Sequence, residues 1–382
     1  MEKHLHIISL TVPYPVMYGG VFDLFYKLSA LQSQGIHIHL HCFKYGDNSV
    51  QDELNKYCHS VQYYERESGH KAFSPNIPYI VASRKNEILF NNLLKDDYPI
   101  LMEGVHCTYL LNDARFEKRK KFVRLHNVEY QYYHYLSQSS NSILKKIYYK
   151  RESSLLKEYE QSLVSKATAF WGVSNNDVQT YREEFHCTTI DLLPPYLPTS
   201  WQVKCLPGKG NYCLYHGDLS VDVNEKAATW LLEEVFSNTS LPLVIAGKNP
   251  SSKLQRLAHS NPNTCIVANP SEKEMQDMIM RAHINILPSF SYSGIKLKLL
   301  NALFNGRFCI ANAATVAGSG GLEELCCMAD TAKEMRDEIA VHFNRNFEEG
   351  EIDKRRKILL RKFNNEANAK QQVKWIWGEE NH

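Results

Sequence analysis

Short apolar runs that end in turn residues alternate along this chain with longer segments whose apolar positions recur every three to four residues. The first run, His4 to Leu10, passes through the turn-rich TVPYPVMYGG into a segment with Phe22, Phe25, Leu28 and Leu31 at helical spacing, capped by Gly35. HIHLHCF follows as a strand, so this stretch predicts one βαβ unit. Lys44 to Ser74 is polar and irregular and predicts no element. PILMEGVHCTYLL predicts a strand with polar residues at its end, and Phe122-Val123 lead a strand into the polar cluster Arg124, His126, Asn127, Glu129. SILKKIYYKRESSLLKEYEQSLVSKA predicts a long helix, and TAFWGVSNNDVQTYREEF a strand, a turn and a helix with Ser174 or Asn175 as N-cap. A stretch with Pro194, Pro195, Pro198, Pro207, Gly208 and Gly210 then reads as a linker. The same alternation resumes with YCLYHGD, PLVIAG, CIVA and INIL as strands, each followed by a helical segment. Repeated strand-helix alternation predicts an α/β protein with parallel sheets.

The stretch Ile284 to Ala314 carries the most chemistry. Ile284, Ile286 and Leu287 make a short apolar strand that Pro288 stops. Ser289 to Ser293 has no helical period, and helix signals begin near Gly294. Leu299, Leu300, Ala302, Leu303 and Phe304 form the apolar stripe, and Asn305-Gly306 ends it, with Gly306 suited to a left-handed C-cap. Phe308 to Ala311 is the next strand. A loop and helix start after a buried parallel strand is where open α/β sheets place ligands. The helix N-terminus offers unpaired N–H groups, and Lys296 and Lys298 add cations, which together suit a diphosphate.

Composition narrows the class. At 382 residues the chain is long for one core, so two domains are expected. A net charge of +2 implies no polyanionic partner, and nucleic acid is not expected. Ten scattered cysteines, with no Cys-x-x-Cys pair, point to a reducing cytoplasm rather than a disulfide or zinc framework. The N-terminal apolar run is too short for a signal peptide, and no window is long and apolar enough to span a membrane. No Gly-x-Gly-x-x-Gly occurs after the first strand, so a nicotinamide cofactor is not supported.

GIKLKLLNALFNGRFCIAN resembles the second-domain signature of retaining GT-B glycosyltransferases of family four, the group 1 type. The resemblance extends in order along the whole chain. It implies two Rossmann-like domains facing across a cleft: 1–198, the acceptor domain, and 199–361, which binds a nucleotide sugar. The last helix, 362–382, would cross back to the first domain, packing Trp375, Ile376 and Trp377 there. Gly19-Gly20 match the family's Gly-Gly loop, Gly217 its second-domain Gly loop, and Lys248 a position near the phosphates. Gly294, Ile295, Lys296 and Lys298 match the diphosphate-binding helix start. The family's two glutamates, one near the donor sugar and one on the ribose, correspond here to Ser293 and Asn301, which can hydrogen-bond hydroxyls without a carboxylate. Glu103 and His106 match Glu-Gly-x-His, and His126, Asn127 and Glu129 match His-Asn-x-Glu. The family's equivalent of His126 contacts the donor sugar; Glu103, His106, Asn127 and Glu129 are the acceptor-side candidates.

The activity implied by the resemblance is transfer of a hexose from a UDP- or GDP-sugar to a glycan or lipid-linked acceptor. Retention of configuration is implied with it, and no metal is expected, since the chain contains no Asp-x-Asp. A nucleotide-sugar-binding pseudoenzyme or partner subunit of the same fold stands as the alternative, motivated by Ser293 and Asn301. A two-domain nucleotide-sugar epimerase would need acid/base histidine motifs that the chain does not carry. Lys145, Lys146, Lys150 and Arg151 cluster near the start of the long helix. That cluster suits peripheral contact with anionic lipid at the inner face of a membrane. A solvated helix face, with acidic residues interleaved, is the competing reading.

Overall fold

The computed structural model describes residues 2–16, 19–44, 51–140, 142–237, 239–292 and 294–378. Contacts divide the chain into one unit of Met1–Pro198 with Phe363–His382 and a second of Thr199–Lys362. Each is built on its own parallel sheet.

In the first unit β1 (Lys3–Ser9), β2 (Ile36–Lys44), β3 (Ser60–Glu65), β4 (Ile100–Glu103), β5 (Lys121–Leu125), β6 (Ala169–Gly172) and β7 (Ile190–Leu192) pair in the order β3-β2-β1-β4-β5-β6-β7. All neighbours are parallel. The chain winds outward from β1 in one direction and from β4 in the other. The switch point therefore lies between β1 and β4. β4 and β5 are buried at every residue, as strands covered on both faces must be. β3 is a correction to the sequence reading, which left Lys44 to Ser74 without an element. SVQYYE is polar and mostly half-buried because it is the edge strand of the sheet.

The strand expected over PILMEGVHCTYLL is also shorter than read. It ends at Glu103, and Val105–Asn112 is a 3₁₀ helix. The terminal helix Asn365–Trp377 belongs to this unit. Trp375 stacks on Trp171 at 5.7 Å, and Tyr196 Oη donates to Gln372 Oε1 at 2.9 Å.

One face of β1 and β2 carries imidazoles where aliphatic side chains are the rule. His6 Nδ1 and His41 Nε2 share a hydrogen bond of 2.9 Å, as do His4 Nδ1 and His39 Nε2 at 3.0 Å. Burial lowers the pKa of His6 and His41 and brings His39 to about 4. Asp96, hydrogen-bonded to His6 Nε2, partly opposes this at His6. The opposite face, with Leu5, Ile7, Ile36, Ile38 and Leu40, packs under the Gly19–Gln32 helix residues Leu24, Leu28 and Leu31.

The second unit holds β8 (Cys213–Asp218), β9 (Leu243–Lys248), β10 (Thr264–Ala268), β11 (Ile284–Leu287), β12 (Phe308–Ala311) and β13 (Cys327–Met328). They pair in parallel in the order β10-β9-β8-β11-β12-β13, with the switch point between β8 and β11. β11 and β12 are fully buried, as their apolar runs predict. The helix between them starts at Leu297, three residues later than the sequence signals placed it. Gly306 is also not a left-handed cap: its φ is −96°. Glycine is needed there for room, because a Cβ would lie 2.3 Å from Asn285 Nδ2.

Candidate functional site

In the second unit, the segment after β11 runs to Lys296, the N-cap of the Leu297–Asn305 helix. Asn312, just past β12, ties this segment down: its Oδ1 accepts from Ser289 N–H at 3.0 Å, and its Nδ2 donates to Ser289 O at 2.7 Å. Gly294 sits at φ +66°, the left-handed region that glycine enters without a Cβ penalty. Ser293 lies outside the described residues. The Lys296 side chain does not cap the helix, so the first-turn N–H groups of Leu297 and Lys298 are available to a ligand. Lys298 Nζ lies 4.9 Å above the Tyr215 ring. It has no acidic partner among the described residues. Desolvation, with Lys296 nearby, brings its pKa down to about 7.

His216, two residues before the end of β8, interacts with this lysine. It is buried, its Nε2 has no hydrogen-bond partner, and burial together with Lys298 lowers its pKa to about 3. It is therefore a neutral imidazole beside a lysine that has no counter-charge among the described residues. Both groups are what an incoming anion with hydroxyl or phosphate oxygens would satisfy. The sequence reading passes over His216 because one histidine at a strand end has no distinctive spacing.

The remaining second-unit candidates differ in role. Gly217 and Gly247 are paired across β8 and β9, and a Cβ on Gly247 would overlap Gly217 O. Strand packing thus requires glycine at Gly247, while a Cβ on Gly217 would meet Asn224 at 3.3 Å. Lys248 ends β9 and is half-buried. Asn301 lies one turn into the Leu297–Asn305 helix, where its Oδ1 accepts from Asn305 Nδ2 at 2.8 Å, a bond that engages its oxygen and not its own Nδ2.

In the first unit, His126 follows β5 directly and is mostly buried. Its Nε2 lies 3.1 Å from Glu103 Oε2 at the end of β4. Burial alone would raise the Glu103 carboxyl, yet Lys27 and the hydrogen bond from His126 hold it below its ordinary value. An ionised Glu103 can only accept, so His126 Nε2 is the donor in this pair.

Beneath this pair lies a network that sequence reasoning missed. Lys27 Nζ is 2.6 Å from Glu103 Oε1 and 3.1 Å from Asp23 Oδ2. Arg124 Nε donates to Asp23 Oδ2 at 2.9 Å, and Tyr196 N–H donates to Asp23 Oδ1 at 2.8 Å. All four charged side chains are buried. Desolvation works to raise Asp23, but Arg124 and Lys27 hold it well below the usual carboxylate range. Asp23, Glu103 and His126 lie close enough to hold a metal ion. Lys27 and Arg124 already balance both carboxylates, so a cation has no free charge to meet there. Asp23 and Lys27 stand four apart inside the apolar VFDLFYKL, which was the available signal.

Gly19 and Gly20 open the helix that carries Asp23 and Lys27. Gly104, at φ +82°, lets the chain leave β4: a Cβ there would lie 3.1 Å from His106 Nδ1 and 3.6 Å from His126 Cδ2. His106 Nδ1 is buried without a partner, and burial lowers its pKa far below the ordinary value. Asn127 hydrogen-bonds the Glu129 side chain. Glu129 is buried, and burial together with Glu160 raises its pKa to about 8. Glu160 accepts from Glu129 N–H and Tyr130 N–H, capping the Glu129–Ser139 helix, and is itself raised to about 7, chiefly by burial.

Glu129 is held at a cost to stability. A carboxyl whose folded pKa is raised gives stability that is full below the unfolded pKa and lost as pH rises through the folded value. Glu129→Gln removes that loss. The gain in unfolding free energy grows by roughly 1.4 kcal/mol per pH unit from about pH 5 to pH 8, as read by urea titration. A pH-independent effect would mean that Glu129 is ionised throughout.

Three comparisons with known proteins bear on these two units. Residues 210–342 match the family described as Glycosyl transferases group 1. A protein of Klebsiella pneumoniae described as an uncharacterized 44.6 kDa protein in the cps region is 28% identical over 335 residues, 82% of this chain and 84% of that one. Among solved structures, sucrose-phosphate synthase from Thermosynechococcus elongatus superposes with a TM-score of 0.74 at 15% identity, covering 97% of this chain and 98% of that one. HepE of Anabaena, in complex with UDP and glucose, gives 0.67 at 9% identity over 97% and 98%. The fold is of the GT-B type.

Proposed function

We propose that this chain, whose residues 210–342 match the group 1 glycosyltransferases, moves a hexose from a nucleoside-diphosphate sugar to a glycan or a lipid-linked acceptor, with retention of configuration. The observation that carries this reading is Lys298: a half-buried lysine with no counter-charge among the described residues, beside the orphaned His216 Nε2, at a helix start after a central parallel strand. A diphosphate supplies the charge that this arrangement lacks. HepE, a structural neighbour, holds UDP and glucose, which favours a UDP-sugar over a GDP-sugar. The relative encoded in a cps region favours a glycan product. Ten free cysteines favour a reducing compartment, the cytoplasm.

In this reading Lys296, Lys298 and the first-turn N–H groups take up negative charge as the diphosphate leaves, and Lys248 adds to the field. Asn301 Nδ2 serves the ribose, where the resembled family uses a glutamate. His126 Nδ1 accepts from a hydroxyl of the transferred sugar, and Glu103 is a positioning residue that fixes the tautomer. Cleavage of the C1–O bond gives an oxocarbenium-like centre. The acceptor oxygen attacks from the leaving-group side and passes its proton to the departing diphosphate oxygen, so no carboxylate nucleophile and no metal are called for.

The test is calorimetric binding of UDP-glucose and GDP-mannose to wild type and Lys298→Met. Loss of one charge-assisted contact weakens binding by about 10- to 100-fold. The free variant is no less stable than wild type, because it no longer buries a cation. Wild-type affinity also declines above about pH 7, where Lys298 sheds its proton in the free protein. Equal binding by wild type and variant would remove the diphosphate from this site. Binding without turnover on any glycan or lipid-linked acceptor would favour the binding-protein alternative.

A further inference from the structure

The helices Glu129–Ser139 and Ile143–Leu163 form a hairpin, with Ser153 Oγ donating to Tyr130 O at 2.8 Å. The first two turns of the second helix are exposed, and they are not polar. Ile143 is 75% exposed, Leu144 80%, Ile147 63% and Tyr148 40%. At about 100° per residue these four side chains cover an arc of about 140° on the helix surface. Lys145 lies beyond one edge of that arc, and Lys146 and Lys150 beyond the other. None of the three lysines has an acidic partner among the described residues. Phe73, 61% exposed, adds to this surface through Arg151, whose guanidinium lies 4.9 Å from its ring.

The acidic residues that would make this an ordinary solvated face are absent from it. Residues 130–151 contain no Asp or Glu and four Lys or Arg. The glutamates of the long helix begin at Glu152, and there the helix turns buried, with Glu152, Leu156 and Glu160 inside. The hairpin end is therefore apolar, cationic and rich in tyrosine, from Tyr130 to Tyr149. That combination suits the boundary between lipid headgroups and acyl chains.

We infer that the exposed start of the Ile143–Leu163 helix docks on an anionic bilayer surface, with Ile143, Leu144 and Ile147 entering the acyl boundary and Lys145, Lys146 and Lys150 meeting headgroup phosphates. No helix of the described residues is long and apolar enough to cross a membrane, so the contact is peripheral. The inference does not depend on glycosyl transfer. It would, however, place the enzyme where a lipid-linked acceptor resides.

The experiment is co-sedimentation of the full chain with vesicles of mixed phosphatidylglycerol and phosphatidylcholine, or of phosphatidylcholine alone. Wild type partitions onto the anionic vesicles, weakly onto the neutral ones, and less as salt rises. Leu144→Ser with Ile147→Ser keeps every charge and lowers partitioning tenfold or more, as expected from roughly two apolar side chains. Lys145→Gln lowers it roughly fivefold. Because these side chains are exposed, the melting temperature and UDP-glucose binding stay at wild-type values, so failure here is separable from failure of the functional reading. Absence of binding to anionic vesicles would overturn the inference. So would undiminished binding by the double serine variant. Concentration-dependent dimerisation that the serine variant abolishes, without vesicle binding, would assign the surface to a second copy instead.

Discussion

Lys27→Met destabilises the first unit by about 3–5 kcal/mol, the cost of leaving a buried charge without its partner. Lys27 is fully buried and bonds Asp23 and Glu103 together. Methionine fills much the same volume but carries no charge. Arg124 still balances Asp23, so the deficit falls on Glu103, whose remaining partner is the His126 hydrogen bond. Glu103 then either stays ionised without its cation or takes a proton. Both routes cost stability, and the second also changes which ring nitrogen of His126 is protonated. Urea titration followed by tryptophan emission reads the loss, since Trp171 and Trp375 stack within this unit. The decisive control is Lys27→Met with Glu103→Gln. Removing both charges restores most of the stability if the loss is electrostatic. Equal destabilisation in the double variant would mean that packing of the lysine stem against its neighbours, including the Tyr196 ring at 5.7 Å from Nζ, is what matters.

With the role proposed for His126, His126→Ala lowers turnover by about 10²- to 10³-fold, the usual consequence of losing a preorganised polar group that meets the transferred sugar. Affinity for UDP changes little, because the groups proposed to bind the diphosphate belong to the second unit. Glu103→Gln, which acts through the imidazole, lowers turnover less, about 10- to 100-fold. It also shifts the pH profile, because a glutamine no longer enforces an Nε2 proton. Steady-state kinetics with a UDP-sugar donor, separating kcat from KM, checks both. Wild-type turnover in His126→Ala would take the histidine out of the reaction. A Glu103→Gln variant that lost stability but kept its pH profile would reduce Glu103 to a structural role.

Residue order was sufficient for the parts of this protein that rest on local physics. Strands such as Ile284–Leu287 and Phe308–Ala311 are continuous apolar runs because both sheet faces are covered. The helix between them shows its buried stripe because backbone geometry brings every third or fourth residue to one side. Lys296 and Lys298 stood out because two cations beside a helix start have few purely structural uses. Local pattern also misled. SVQYYE carried no apolar run, since an edge strand need not have one, and Gly306 looked like a cap when its true constraint is Asn285, distant in sequence.

What surrounds the candidate residues was decided by the tertiary structure. The sequence offers Glu103 as an acceptor-side candidate at a strand end; folding brings Lys27 to it from 76 residues away and sets it 3.1 Å from His126 Nε2. Arg124 and Asp23, 101 residues apart, meet only because the Gly19–Gln32 helix packs on the sheet that contains β5. The raised pKa of Glu129, the orphaned nitrogens of His106 and His216, and the exposure of Ile143, Leu144 and Ile147 are likewise matters of what lies nearby. Hydrophobic periodicity is imposed by the backbone a few residues at a time, and it is written in the order of the chain. Desolvation and charge pairing depend on neighbours that only chain closure supplies.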